Sequence, residues 1–315
     1  MGGACGVDCV AVRGVVVVLL AVLLVVLAGL GLWVAGRDGG RAAGPSAQVV
    51  IFHETHTHGK LATFPRYVGL VNELSAGRER LFLGNGDDLS PSYDGAYTHG
   101  RHVVDAFNAS GLDADTFGFS ELDFSVDRLK KVVAASDFDW VSANVREGDD
   151  VLAAQQGARR YVIEEVDGVR VGITGVLGTR FSFGQPPRTA FGPVRVLDPA
   201  RALSAVVPEM REHGAEVVVV LSHMMHEDTL RVVDRVPGID VALGTHLGDA
   251  TLRPDIVGET IVAVAGPADM QALGELTLQI RDGRVAGHTF RRHVPQRDDE
   301  PDPEVEEVLA RLGGR

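Results

Sequence analysis

A chain of 315 residues with a formal net charge of -13, 45% hydrophobic and 23% charged residues has a globular composition and is long enough for one large domain or two small ones. The acidic excess argues against a nucleic-acid partner, because a protein held on a phosphate backbone needs basic surface to displace counterions. Both cysteines, Cys5 and Cys9, precede the first long apolar run, so the remainder has no disulfide framework and no thiolate metal site.

Residues 1–13 read as a short cytoplasmic amino terminus. Residues 14–36 carry no charge, are dominated by Val and Leu, and as a helix would measure about 33 Å, enough to cross a bilayer core. A signal-peptide apolar core is shorter, roughly 7–15 residues, so an uncleaved anchor is expected. The chain is thus expected to sit in the cell membrane as a single-pass protein, with the bilayer as a partner and the large domain outside the cytoplasm. Residues 37–47, rich in Gly, Ala and Arg, read as a linker, 48–303 as the large domain and 304–315 as a terminal helix or tail.

Within the large domain, an apolar strand over 49–52 is followed by a helix with Tyr67, Leu70, Val71 and Leu74 on one face, and by a second strand over 80–83. Helices are expected over 100–108 and around Leu129, Val132 and Val133, and a strand over 140–145. Segments 160–166 and 169–175 form a hairpin about Asp167-Gly168, which suits a type I′ turn. A helix starting at Pro199, with Leu203, Val206, Val207 and Met210 apolar, feeds the strand 217–221. A further helix with Leu230 and Val233 leads to the strand 241–243. Strands over 260–264, 274–280 and 285–291, the last two joined at Asp282-Gly283, close the domain.

Five polar clusters follow strand-like runs: 53–59 with His53, His56 and His58, Gly86-Asp87-Asp88, 118–123, Ser222-His223 and Gly244-Thr245-His246. Imidazole and carboxylate groups suit zinc, manganese and iron, and open α/β sheets gather ligands outside the carboxyl ends of their strands. His56 and His58 alternate, so in an extended segment both point the same way. Gly86 lets the backbone turn sharply before Asp87, whereas Asp88 reads as solvated. His223 and His246 end two buried strands. His99, His102, His213, His226, His288 and His293 lack that setting and read as ordinary histidines.

In their order these clusters resemble the calcineurin-like metallophosphoesterases, in the branch of 5′-nucleotidases and UDP-sugar hydrolases. The family carries DxH, GD, GNHE followed by an apolar residue and Asp, a strand ending in SH, and GGHTH. These align here with His56-Thr57-His58, Gly86-Asp87, the 118–123 segment, Ser222-His223 and the segment from Gly244 to Gly248. The resemblance implies an α/β fold, a four-layer α/β/β/α sandwich of two mixed sheets flanked by helices, here preceded by the transmembrane helix. It also implies two divalent metals, one held by His56, His58 and Asp87 and the other by Asp87, His223 and His246, or one remaining ion (Zn, Mn or Fe).

Three positions depart from the pattern. Phe119 stands where the family has a coordinating Asn, Ser120 where it has the His that protonates the leaving group, and Gly248 where it has the last His. Asp123, the orienting carboxylate, is retained. The function implied is a membrane-anchored, metal-dependent phosphoesterase with a modified dinuclear site, acting on a small phosphorylated substrate such as a nucleotide. The alternative is a catalytically weak or inactive homologue that binds metal or a phosphorylated ligand.

Overall fold

The computed structural model describes residues 47–179, 194–246 and 250–313, all within the unit Ser46–Arg315. The elements run β1 (Ala47–His53), α1 (Phe64–Leu74), β2 (Leu81–Leu83), α2 (Tyr93–Thr98), α3 (Arg101–Ser110), β3 (Ala114–Thr116), a 3₁₀ turn (Ser120–Leu122) and α4 (Val126–Val133). Then come β4 (Asp139–Val141), β5 (Val145–Glu147), β6 (Asp150–Val151), β7 (Val162–Val166), β8 (Val169–Leu177), β9 (Val194–Val196) and α5 (Pro199–Glu212). The remainder is β10 (Val217–His223), α6 (His226–Arg235), β11 (Val241–Leu243), β12 (Asp255–Val257), β13 (Thr260–Ala263), β14 (Leu273–Arg281), β15 (Arg284–His293) and α7 (Pro303–Gly313).

Two six-stranded sheets carry the fold, in the orders β15-β14-β1-β2-β3-β4 and β12-β13-β11-β10-β8-β7, with a three-stranded sheet β6-β5-β9 beside them. Inner pairs such as β1–β2 and β10–β11 are parallel, and the outer pairs β14–β15 and β7–β8 are antiparallel. The inner strands β2, β10 and β11 are buried on both faces because both faces are covered. Val49 and Ile51 of β1 meet Val217, Val219 and Leu221 of β10 in a core between the large sheets. Val50 and Phe52 point the other way, onto Tyr67, Val71, Val103 and Phe107 of α1 and α3. Val218 and Val220 pack against Leu203, Val206, Val207 and Met210 of α5.

The large sheets approach closely at Gly175 of β8. A methyl there would stand 1.9 Å from Thr116 Oγ1 and 2.7 Å from Val141 O, and Ala143 N donates to Gly175 O across the same gap at 2.7 Å. That bond explains why the segment 140–145, expected as one strand, is two. Residues 142–144 leave the first sheet to bond the second, with Asn144 Nδ2 donating to Leu177 O (2.7 Å) and Leu197 O (2.9 Å).

The expectation of a spanning helix ahead of a two-sheet sandwich is corrected. Residues 14–36 lie outside the described residues, and no helix among the described residues is long and apolar enough to cross a membrane. The longest of these, α5, has 14 residues, about 21 Å against a hydrocarbon core of roughly 30 Å. The single-pass placement, the bilayer partner and the extracytoplasmic domain therefore have no spanning helix among the described residues to rest on. The observed fold is a mixed α/β sandwich of two large sheets and one small sheet, flanked by helices.

His53, which opens the first polar cluster, belongs to the core. Its ring is 1% exposed, lies 6.0 Å from the Phe290 ring, and neither nitrogen meets a well-aligned partner.

Two outcomes follow from this packing. Gly175→Val forces the sheets apart and should lower unfolding free energy by about 3 kcal/mol; an unchanged denaturant midpoint would contradict the close approach. Burial lowers the His53 pKa from 6.5 to about 4, so between those pH values the unfolded chain binds more protons. Stability is then lost as pH falls through that window, by about 3 kcal/mol in total. His53→Gln should remove this component when stability curves of the two proteins are compared between pH 4 and 7.

Candidate metal centre

Carboxyl ends of strands from both large sheets converge on one edge, where the loops after β1, β2, β3, β10 and β11 meet. The β2 loop turns through Gly86 at φ 74 into Asp87 at φ 63. A Cβ on Gly86 would come 2.5 Å from Gly118 N, so no side chain fits there. Asp87 itself is a non-glycine residue in left-handed backbone, an arrangement that neighbours must hold. Glu121 holds it: its carboxylate accepts from the backbone N–H of Asp87 (2.8 Å), Asp88 (2.8 Å), Leu89 (3.2 Å) and Gly118 (2.7 Å). Ser120 N then donates to Asp87 Oδ1 at 2.6 Å, leaving Oδ2 to face the histidines.

Asp87 Oδ2 lies 3.2 Å from His223 Nε2 and 3.1 Å from His246 Nδ1, and the two ring nitrogens are 2.9 Å apart. His223 Nδ1 donates to Asn85 O at 2.7 Å, which in the neutral ring leaves the lone pair on Nε2. Asn85 also accepts from Thr245 N through Oδ1 at 2.9 Å, which ties the β11 loop to the β2 loop. Three ligand atoms from three elements thus converge in a buried space, and among the described residues Asp87, His223 and His246 are the group able to hold a metal ion. Tetrahedral ligands at about 2.0–2.1 Å from zinc stand roughly 3.3 Å apart, close to the separations found.

The electrostatics agree with a site built for a cation. Burial alone would raise Asp87, but the charges and hydrogen bonds of His223 and His246 hold it well below the ordinary carboxylate range. Burial opposes protonation of His223, yet the Asp87 carboxylate outweighs it and raises this histidine. His246 is lowered, mainly by burial and by the charge of His223, against its hydrogen bond to Asp87.

The other expected residues are placed around this triad rather than in it. His56 and His58 occupy left-handed backbone at φ 42 and φ 51, not the extended chain that alternation assumed. His56 Nε2 is bonded to Thr245 O, its Nδ1 is buried without a partner, and its ring centroid lies 4.9 Å from that of His223. His58 Nδ1 is paired with Asp269 Oδ1 at 2.9 Å. The expected two-metal arrangement is therefore corrected to one incomplete site: the His56–His58 half does not bring its ligand atoms into the group.

Phe119 packs beside the triad, its ring in T-shaped contact with those of His246 at 4.8 Å and His223 at 5.5 Å. The Ser120 hydroxyl donates to Glu121 Oε1 at 3.2 Å. Asp123, expected to orient a histidine, accepts instead from Ser90 Oγ at 2.6 Å. Gly248 lies outside the described residues.

Sequence patterns do not reveal a set of buried carboxylates near the triad. Asp88, expected to be solvated, is 0% exposed, as are Glu54 and Asp115. Burial and neighbouring carboxylates raise Glu54 and Asp88 well above the usual range. Burial and the Glu121 charge push Asp115 up to about 7. Asp88 Oδ1 accepts from Thr57 N at 2.7 Å and so ties the β1 loop to the β2 loop.

No family model matches the chain. A 2′,3′-cyclic-nucleotide 2′-phosphodiesterase/3′-nucleotidase of Salmonella typhimurium is 26% identical over 195 residues, 54% of this chain and 30% of that relative. The chain spans about a third of the length of the curated relatives it matches. Among solved structures, the sulfate thiohydrolase SoxB of Thermus thermophilus superposes with a TM-score of 0.75 at 19% identity, over 86% of this chain and 61% of that one. Calcineurin-like phosphoesterase YfkN of Bacillus subtilis gives 0.71 at 20% identity, over 86% of this chain and 98% of that one. In fold the chain is similar to calcineurin-like phosphoesterases and 5′-nucleotidases, and of the metal ligands that the resemblance implied, Asp87, His223 and His246 come together as a degenerate triad.

Proposed function

We propose that this protein is a catalytically weak or inactive metallophosphoesterase homologue that holds one divalent metal on Asp87, His223 and His246 and, through it, a small phosphorylated ligand. The observation that carries this is the convergence of three ligand atoms about 3 Å apart, with the Phe119 ring packed edge-on against both histidines. Two imidazoles and one carboxylate suit zinc first, then iron or manganese. A bound ion supplies Lewis-acid polarisation of a phosphoryl oxygen. The nucleotide phosphoesterases among the relatives support a nucleotide or similar phosphate ester as the ligand.

The residues around the triad favour binding over turnover. Phe119 offers no ligand atom and fills space beside the histidines. Ser120, bonded to Glu121, is no proton donor of useful acidity, and lack of a general acid costs about 10² to 10⁴ in rate. Esters with good leaving groups, which need no proton, lose least.

Elemental analysis of the purified chain is expected to find one equivalent of metal, and Asp87→Asn to remove it. Absence of metal from the wild type under zinc-replete conditions would sink the proposal. Nitrophenyl phosphate should turn over slowly at best. A Phe119→Asn, Ser120→His variant should raise that rate by at least about 10², whereas a wild type already as fast as the variant would show that Ser120 and Phe119 do not limit the site.

A further inference from the structure

β15 closes one edge of the first large sheet, and no described strand pairs with its outer side. None of its 10 residues is buried, whereas its neighbour β14 is buried over most of its length. An edge strand turns alternate N–H and C=O groups toward solvent, here over about 33 Å. Such an edge accepts an added strand unless something blocks it.

The charge of this edge is opposite to that of the chain. Residues 284–297 carry four Arg, two His and no Asp or Glu, in a protein with 43 acidic residues against 30 Lys and Arg. Arg284, Arg291 and Arg297 are exposed and have no hydrogen bond or ion pair to a described residue. Glu275, the register partner of Arg291, is occupied by His293 at 2.8 Å and Arg78 at 3.7 Å. These cations disfavour self-pairing, since a second copy added along the same edge would set like charges against each other. An acidic strand meets no such penalty.

Beside the first half of β15, a groove of about 930 Å³ opens between residues 283–288 and the β12–β13 hairpin. Ile239, Ile256 and Val285 give it an apolar lining, and Ile256 is 54% exposed. Glu216, Asp234 and Glu259 also line it, so a partner's carboxylates stay out and an apolar side chain enters. We infer that β15 is a docking edge for an extended acidic segment of a partner protein. The segment adds as an outer strand, sets carboxylates beside Arg291 and Arg297, and places an apolar side chain in the groove. Main-chain hydrogen bonds supply affinity, while the cations and the groove select the sequence. The inference is independent of the metal-site function proposed above.

The probe is a fluorescent peptide of alternating Glu and Val, as long as β15, titrated with the full chain and followed by anisotropy. Hydrogen exchange reports where it binds. Binding is expected, with slowed exchange of backbone amides within 284–293. The Arg291→Glu, Arg297→Glu protein should bind about tenfold more weakly, and added salt should weaken binding to the wild type. Ile256→Glu should weaken binding of this peptide and leave that of a Glu–Thr peptide unchanged. Two further peptides, N-methylated at one or the other set of alternate residues, keep the side chains but each lacks half of the main-chain donors. The one methylated on the donors that face β15 should lose binding to the wild type. No binding of the parent peptide, equal binding of the parent and both methylated forms, or protection elsewhere in the chain would overturn the inference. So would equal affinity for a Lys–Val peptide. Binding of phosphatidylserine vesicles or duplex DNA in place of the acidic peptide would also overturn it, by marking a membrane or nucleic-acid surface.

Discussion

The four backbone N–H groups gathered by the Glu121 carboxylate tie the β2 loop to the β3 loop and hold Asp87 in left-handed backbone. Without them the strain at Asp87 would relax and its carboxylate would leave the histidines. A buried carboxylate is costly unless several donors satisfy it, and backbone N–H groups fixed by two separate sheet strands are such donors. The same interaction couples site to fold, since the donors are positioned only when β2 and β3 are paired. Asp88 and Thr57, Asn85 and Thr245, and Asn85 and His223 extend it to the loops after β1, β11 and β10. The metal triad is therefore supported by polar contacts between loops more than by the strands that end beside it.

This support survives although part of the chemistry does not. Asp87, His223 and His246 converge within hydrogen-bond distance of one another. Phe119 contributes ring edges where a ligand atom would be needed, and Asp123 has become the acceptor for Ser90. The result is a preformed group of three ligand atoms with Ser120 rather than a histidine beside it. Near it the buried Glu54, Asp88 and Asp115 have pKa values raised by burial and by neighbouring carboxylate charge.

Much of the fold was legible because its strands are short apolar runs ended by Gly, Asp or His, and its helices carry clear stripes. The hairpin turns at Asp167-Gly168 and Asp282-Gly283 were readable too, and all four residues have positive φ as a type I′ turn requires. The break within 140–145 was not readable, because Asn144 leaves its sheet for hydrogen bonds to Leu177 and Leu197, residues 33 and 53 positions away. The 14–36 expectation rested on hydropathy alone and concerns residues outside those described.

For the site, the sequence alone determined which residue types stand at the strand ends and where the family pattern is interrupted, because those facts are local. Tertiary structure decided which of them meet. His56 and His58 had the right chemistry and spacing, yet left-handed backbone turned them toward Thr245 and Asp269, while His223 and His246 closed on Asp87. A side chain's direction depends on backbone torsions set by contacts remote in sequence, such as those of Glu121 with Asp87 and Asp269 with His56. No pattern of residue types records those contacts, so the resemblance was readable from the chain and the composition of its metal site was not.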